Sequence, residues 1–179
     1  MNAKNILRKM DKKILIVYYS LDGNTRFVAE NIAKNINADL LELKPIKEGV
    51  PRNFAKYFWG GRQVYMKQKP LLCDFGLNPG NYEIIFIGTP VWAFNYTPVI
   101  ASFFDKVKLE KKKIALFCCS GGVKGKTFEK MKEKLCNNEF IGEFHLFEPL
   151  FNKKRSALKI KKWVEKLNLI FRDSPGPNL

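Results

Sequence analysis

The chain is poor in the residues that most reactive sites need. One histidine in 179 residues leaves little imidazole chemistry, and the four cysteines Cys73, Cys118, Cys119 and Cys136 form no CxxC pair. That spacing argues against a zinc site, and no metal is expected. No Ser-His-Asp or Cys-His arrangement and no paired carboxylates can be assembled, so no catalytic side chain is expected. GxxxxGK[ST] and GxGxxG are both absent, which disfavours nucleoside triphosphates and dinucleotides. No apolar run approaches the roughly 18 residues of a membrane span, so no transmembrane segment is expected. The opening MNAKNILRKMDKK lacks the apolar core of a secretory leader, and the expected location is cytoplasmic, with reduced thiols. Acidic residues are scarce, 17 Asp and Glu against 32 Lys and Arg, for a net charge of +15. Without a zinc finger, an RRM or a basic repeat, this charge does not indicate a nucleic-acid partner.

What is present suits one ordinary domain. Apolar residues make up 46% of the chain, and 15 Phe, 6 Tyr and 3 Trp exclude a disordered composition. The charge is concentrated at the ends: residues 1–13 carry +4 and residues 151–172 carry +7. The expected organisation is a basic N-terminal extension over 1–11, a folded domain over 12–170, and a flexible Pro- and Gly-containing tail over 171–179.

Continuous apolar runs predict buried strands at Lys12–Ser20, Ala38–Leu43, Glu83–Gly88 and Lys113–Cys119, with a weaker one at Ile141–Phe147 that Glu143 and His145 interrupt. Helical spacing follows at Val28, Ala29, Ile32, Ala33 and Ile36; at Ile100, Phe103, Phe104 and Val107; at Phe128, Met131 and Leu135; and at Ala157, Ile160, Val164 and Leu167. Thr97 reads as the cap of the second of these, with Pro98 at its first position. The aromatic-rich Asn53–Lys67 is expected to be part helix, broken at Gly60-Gly61. Apolar strands alternating with helices predict a doubly wound, three-layer α/β/α sandwich on a five-stranded parallel sheet.

In such a sheet ligands bind beyond the carboxyl ends of the strands, where strand order reverses. After strand one, Ser20-Leu21-Asp22-Gly23-Asn24-Thr25 runs directly into a helix. Its amides and the helix dipole suit a single phosphate, though an ordinary Gly turn with a Thr cap reads equally well. After strand three, Thr89-Pro90-Val91-Trp92-Ala93-Phe94-Asn95-Tyr96 carries three aromatics within five residues. They face a flat ligand or pack on the next helix. After strand four, Ser120-Gly121-Gly122 either admits a ligand edge to the backbone or is a flexible connection. Cys118-Cys119 reads as a pair of buried strand thiols, and His145 as structural.

Taken together, the three loops resemble those of the flavodoxins. SLDGNT is similar to their phosphate loop, GTPVWAFNYTP to the loop bordering the isoalloxazine ring, and SGG to their third flavin-contacting loop. The resemblance spans roughly residues 12–168 and is to the short-chain form. It implies a flavodoxin-like fold, FMN as cofactor and electron transfer as activity. Ser20, Asp22 through its amide, Gly23, Asn24 and Thr25 would hold the phosphate. Thr89, Pro90, Val91, Trp92, Ala93, Phe94 and Asn95, with Ser120, Gly121 and Gly122, would line the ribityl chain and ring.

This sequence departs from the family pattern in four places. Asp22 replaces the usual hydroxyl residue, and its carboxylate is expected to point away from a phosphate or to cap a backbone N–H. The net charge is positive where many members are acidic, implying redox partner proteins with acidic docking surfaces. Trp59, before Gly60-Gly61, stands as a ring-flanking aromatic or as a core helix residue. Residues 1–11 have no counterpart in the minimal fold. Two other functions compete with electron transfer: a flavin-dependent oxidoreductase of the quinone-reductase, FMN-reductase or protoporphyrinogen-oxidase type, and a flavin-free basic binding module.

Overall fold

The structure is a computed structural model that describes residues 13–46 and 69–173. Residues 1–11, Trp59 with Gly60-Gly61, and the last six residues of the expected tail lie outside the described residues. Among the described residues there are five strands, β1 (Ile14–Tyr18), β2 (Asp39–Glu42), β3 (Ile84–Pro90), β4 (Lys113–Ser120) and β5 (Glu139–Phe147), with four α-helices and a short 3₁₀ turn at Pro79–Asn81 before β3. The helices are α1 (Asn24–Asn35), α2 (Pro98–Lys106), α3 (Thr127–Lys134) and α4 (Lys153–Asp173). All strand pairings are parallel, in the order β2-β1-β3-β4-β5. Chain direction across the sheet therefore reverses between β1 and β3, which opens the crevice there.

The continuous apolar runs are explained by burial on both faces. Alternate residues point to opposite sides of a strand. Leu15, Val17, Ile85, Ile87, Ile114 and Leu116 face one core with Val99, Phe103, Phe128 and Met131. Ile16, Tyr18, Ile84, Phe86, Ala115 and Phe117 face the other, with Val28, Ile32, Ile160 and Val164. So α2 and α3 cover one face, and α1 and α4 the other. Most of these side chains are wholly buried, each contributing about 1.5–3 kcal/mol of transfer free energy.

Element ends differ from the sequence reading, most clearly in three elements. β3 runs on through Thr89 and Pro90, because Pro90 still pairs in register with Cys119. β5 begins two residues earlier, at Glu139. As an edge strand it has one side less covered, which is why polar Glu143 and His145 are tolerated there. Helix α4 continues to Asp173, into the first residues of the expected tail.

Close packing against the sheet sets two glycines. A Cβ on Gly88 would lie 2.1 Å from the Phe117 ring. One on Gly142 would lie 2.8 Å from Leu167, beside the Trp163 ring that stacks on Phe144 at 4.8 Å.

Candidate functional site

The loops leaving β1, β3, β4 and β5 meet at the carboxyl edge of the sheet. Gly23 caps α1 with φ +86°, a left-handed conformation that glycine adopts without steric cost. Its carbonyl accepts the first helical bond, from Phe27 N at 2.9 Å. The amides of Asn24, Thr25 and Arg26 come too early in the helix to find carbonyl partners within it. No acidic residue occupies the first turn of α1, so the positive end of the helix dipole is not offset there. Arg26 is engaged elsewhere, pairing with Glu42 at 2.5 Å. Asp22 is exposed.

Two hydroxyls at this turn, Ser20 Oγ and Thr25 Oγ1, are buried without a hydrogen-bond partner. Thr25 is 1% exposed. Its neighbour is the Cys119 thiol, which burial pushes up to about 12 and which the Thr25 hydroxyl pulls down slightly. A neutral thiol satisfies a hydroxyl poorly. An unmet buried hydroxyl costs about 1–3 kcal/mol, so a pair of them beside unpaired helix amides indicates a place for an external acceptor. A phosphate ester fits this donor set of neutral hydroxyls and amides.

The second loop is a tight turn. Trp92 and Asn95 exchange backbone hydrogen bonds at 2.8 and 3.0 Å, and Ala93 and Phe94 between them have φ of +48° and +62°. Such conformations cost non-glycine residues about 1–3 kcal/mol each and persist only when their surroundings enforce them. The third loop supplies that enforcement. Lys126 N donates to Phe94 O at 3.1 Å, and Gly125, with φ +55°, has no room for a Cβ, which would sit 2.4 Å from Phe94 Cβ. Val91 N also donates to Cys119 O at 2.8 Å. Trp92 is half-buried and meets Tyr19 edge-on, with ring centroids 6.1 Å apart. Phe94, by contrast, is 64% exposed.

Thr97 is the N-cap of α2 with Pro98 at its first position, as the sequence indicates, but its hydroxyl makes no capping bond. Its amide donates to Thr89 Oγ1 at 3.2 Å, and the two hydroxyls lie 3.4 Å apart. Fully buried, Thr89 and Thr97 brace the ends of the second loop against each other. The cap position is as expected, while the Thr97 hydroxyl serves a tertiary contact.

Ser120, Gly121 and Gly122 leave β4 next to β5. Ser120 Oγ lies 2.8 Å from His145 Nε2 and donates to Gly122 O at 2.8 Å. Burial, then the Lys124 charge, holds His145 below the ordinary imidazole value. Cys118 is raised still more strongly than Cys119, chiefly by burial. Both thiols are therefore protonated and unreactive near neutral pH, as their strand position predicted.

The loop after β5 was not singled out in the sequence, yet it closes the site. Leu150 N donates to Asn24 Oδ1 at 3.2 Å, Glu148 N donates to Ser120 O at 3.0 Å, and Leu150 packs 3.6 Å from the Cβ position of Gly23. Reading the residues after β5 as those after the other strands are read would have found Glu148, Pro149 and Leu150. Among the described residues no group of His, Cys, Asp or Glu could hold a metal, and no helix is long and apolar enough to cross a membrane.

Comparison with known proteins agrees with this geometry. A protein of Bacteroides eggerthii superposes with a TM-score of 0.72 at 24% identity, covering 88% of this chain and 99% of its own. A Lactobacillus acidophilus flavoprotein, solved in complex with FMN, is 27% identical with a TM-score of 0.65, covering 80% and 97%. An NADH:FMN oxidoreductase in its apo form is similar in fold alone, at 12% identity and a TM-score of 0.58 over 91% and 92%. No curated protein matches the sequence. The family model for flavodoxin matches residues 13–167, which takes in every strand of the sheet and all the loops at its carboxyl edge, so the chain belongs to the flavodoxin family.

Proposed function

We propose that this chain binds FMN at the carboxyl edge of its sheet and works as an electron-transfer protein. The observation that carries the reading is the pair of buried, unpartnered hydroxyls of Ser20 and Thr25 beside the open amides of α1. Family membership and the FMN complex of the Lactobacillus acidophilus relative support it. Ser20, Gly23, Asn24, Thr25 and the Asp22 amide hold the phosphate. Asn24 is positioned for this by Leu150. The Thr89–Asn95 loop and Ser120, Gly121 and Gly122 line the ribityl chain and the ring, and the bracing of Phe94 by Gly125 keeps the two loops in one arrangement.

When bound, FMN supplies one- and two-electron chemistry. The protein orients the ring, limits its contact with water and presents a surface to the partner. The outer face of α4 is basic: Lys153, Lys154, Arg155, Lys159, Lys161, Lys162 and Lys166 are all exposed, with Glu165 among them. The partner is a redox protein with an acidic docking face, met in the cytoplasm, where the four free cysteines stay reduced. Opposite charge speeds such encounters by about 10- to 1,000-fold at low salt.

The purified protein is expected to carry flavin absorbance and to release FMN on denaturation. Reduction of the flavin by an acidic donor protein is expected to slow steeply as salt rises, and to slow less after truncation of residues 1–11. A salt-independent rate overturns the docking surface. Rapid turnover of a quinone, of free FMN or of a porphyrinogen, with no carrier protein present, overturns the carrier role in favour of a reductase or oxidase. Absence of any flavin binding leaves a basic binding module.

A further inference from the structure

Ser120 stands at a hydrogen-bond junction whose accounting closes in one way. A hydroxyl has one proton and two lone pairs. Ser120 Oγ gives its proton to Gly122 O at 2.8 Å and receives Gly122 N at 3.3 Å. The third contact, His145 Nε2 at 2.8 Å, then faces the remaining lone pair. That contact is a hydrogen bond only if Nε2 carries a proton.

The junction matters because Glu148 N, donating to Ser120 O at 3.0 Å, holds only the start of this loop, while the Ser120 hydroxyl reaches on to Gly122. Gly121 and Gly122 are exposed, and a Cβ on Gly122 would meet nothing within 4 Å. Two successive glycines are conformationally free unless something holds them. Ser120 Oγ holds Gly122 by both its amide and its carbonyl, and His145 fixes the rotamer of Ser120. His145 is itself fixed by the edge strand, where it pairs in register with Cys118.

We propose that His145 is a positioning residue for flavin recognition: by donating Nε2–H to Ser120 it sets the shape of the Ser120–Gly122 loop, and through it the grip on the ring rather than on the phosphate. This rests on the FMN reading above. The bond survives protonation, because the imidazolium also carries a proton on Nε2. It is lost in the Nδ1–H tautomer.

The test begins on flavin-free protein. His145 is the one histidine in the sequence, so long-range ¹H–¹⁵N correlation reports its tautomer without assignment. Above its pKa, Nε2 is expected to show the protonated nitrogen shift and Nδ1 the unprotonated one, and Ser120→Ala is expected to move the ring toward a tautomer mixture. A dominant Nδ1–H tautomer in the wild type overturns the proposal.

Binding is then measured with FMN and with riboflavin. His145→Leu is expected to weaken both to the same extent, by about threefold to tenfold, as suits one neutral hydrogen bond. His145→Gln, whose amide can reach the same position, is expected to restore both. Equal loss in the Gln and Leu variants, loss for FMN alone, or unchanged binding in H145L overturns the role of His145. A wild-type protein that binds neither flavin overturns the FMN reading itself, whatever the tautomer.

Discussion

Thr25→Val is expected to move stability and binding in opposite directions. Valine nearly matches threonine in shape, and it takes a well-populated side-chain rotamer in a helix. In the flavin-free protein the Thr25 hydroxyl is buried and unpaired, so its removal recovers desolvation free energy of about 1–2 kcal/mol. For a chain of this length each kcal/mol shifts the melting temperature by about 2–4 °C, and the flavin-free variant is expected to melt roughly 2–8 °C higher by these scales. In the complex the same hydroxyl would donate to a charged phosphate. Losing such a bond costs about 1.5–3 kcal/mol, which lowers FMN affinity about 10- to 100-fold. Riboflavin lacks the phosphate, and its affinity is expected to stay as in the wild type. Calorimetry of the flavin-free proteins and fluorescence titration with both ligands give the three quantities. A lower melting temperature in T25V would show that the hydroxyl is satisfied within the fold. Equal losses for FMN and riboflavin would show that the turn into α1 is not the phosphate site.

Further perturbations probe the other loops. Gly125→Ala forces a left-handed alanine into contact with Phe94. It is expected to destabilise the protein by about 2–4 kcal/mol, read by urea denaturation, and to weaken FMN and riboflavin together; a variant of unchanged stability would mean that the two loops are not interlocked. With Trp163 and Trp59 replaced by Phe, emission from Trp92 is expected to be quenched by FMN and to recover when the flavin is removed, and an unresponsive signal would place Trp92 away from the ring. His145 is held below the ordinary imidazole value by burial and by Lys124. Folding therefore favours its neutral form: the contribution is complete above about pH 6.5 and falls away as pH drops through the folded value. The denaturation midpoint of H145Q is expected to lack this fall, and Lys124→Met to make it smaller, because the folded value moves back toward the unfolded one. Parallel pH profiles for the wild type and H145Q would refute that assignment.

Strand identity and the parallel, two-sided sheet were legible in local sequence because they follow from local rules. A run such as Ile14–Tyr18 or Ile84–Ile87, apolar at every position, can be satisfied only by burial on both faces. Helical spacing between such runs then supplies the covering layers. The turn into α1 was legible for a similar reason, since Gly23 and the residues around it act through their own backbone. What waited for tertiary structure was every feature whose partner lies far along the chain. Thr97 caps α2 as its residue type indicates, but its hydroxyl faces Thr89 rather than the first turn of the helix. Gly125 reads as a loop glycine, and only the approach of Phe94, 31 positions earlier, makes it obligatory. His145 on an edge strand carries no periodic signal for Ser120, because the pairing of β4 with β5 brings them together across 25 positions. The loop after β5 joins the site through Leu150 and Asn24, 126 positions apart. Local periodicity reports which side of an element is buried. It carries no record of which distant group waits there, and that choice belongs to the strand order and register of the folded sheet.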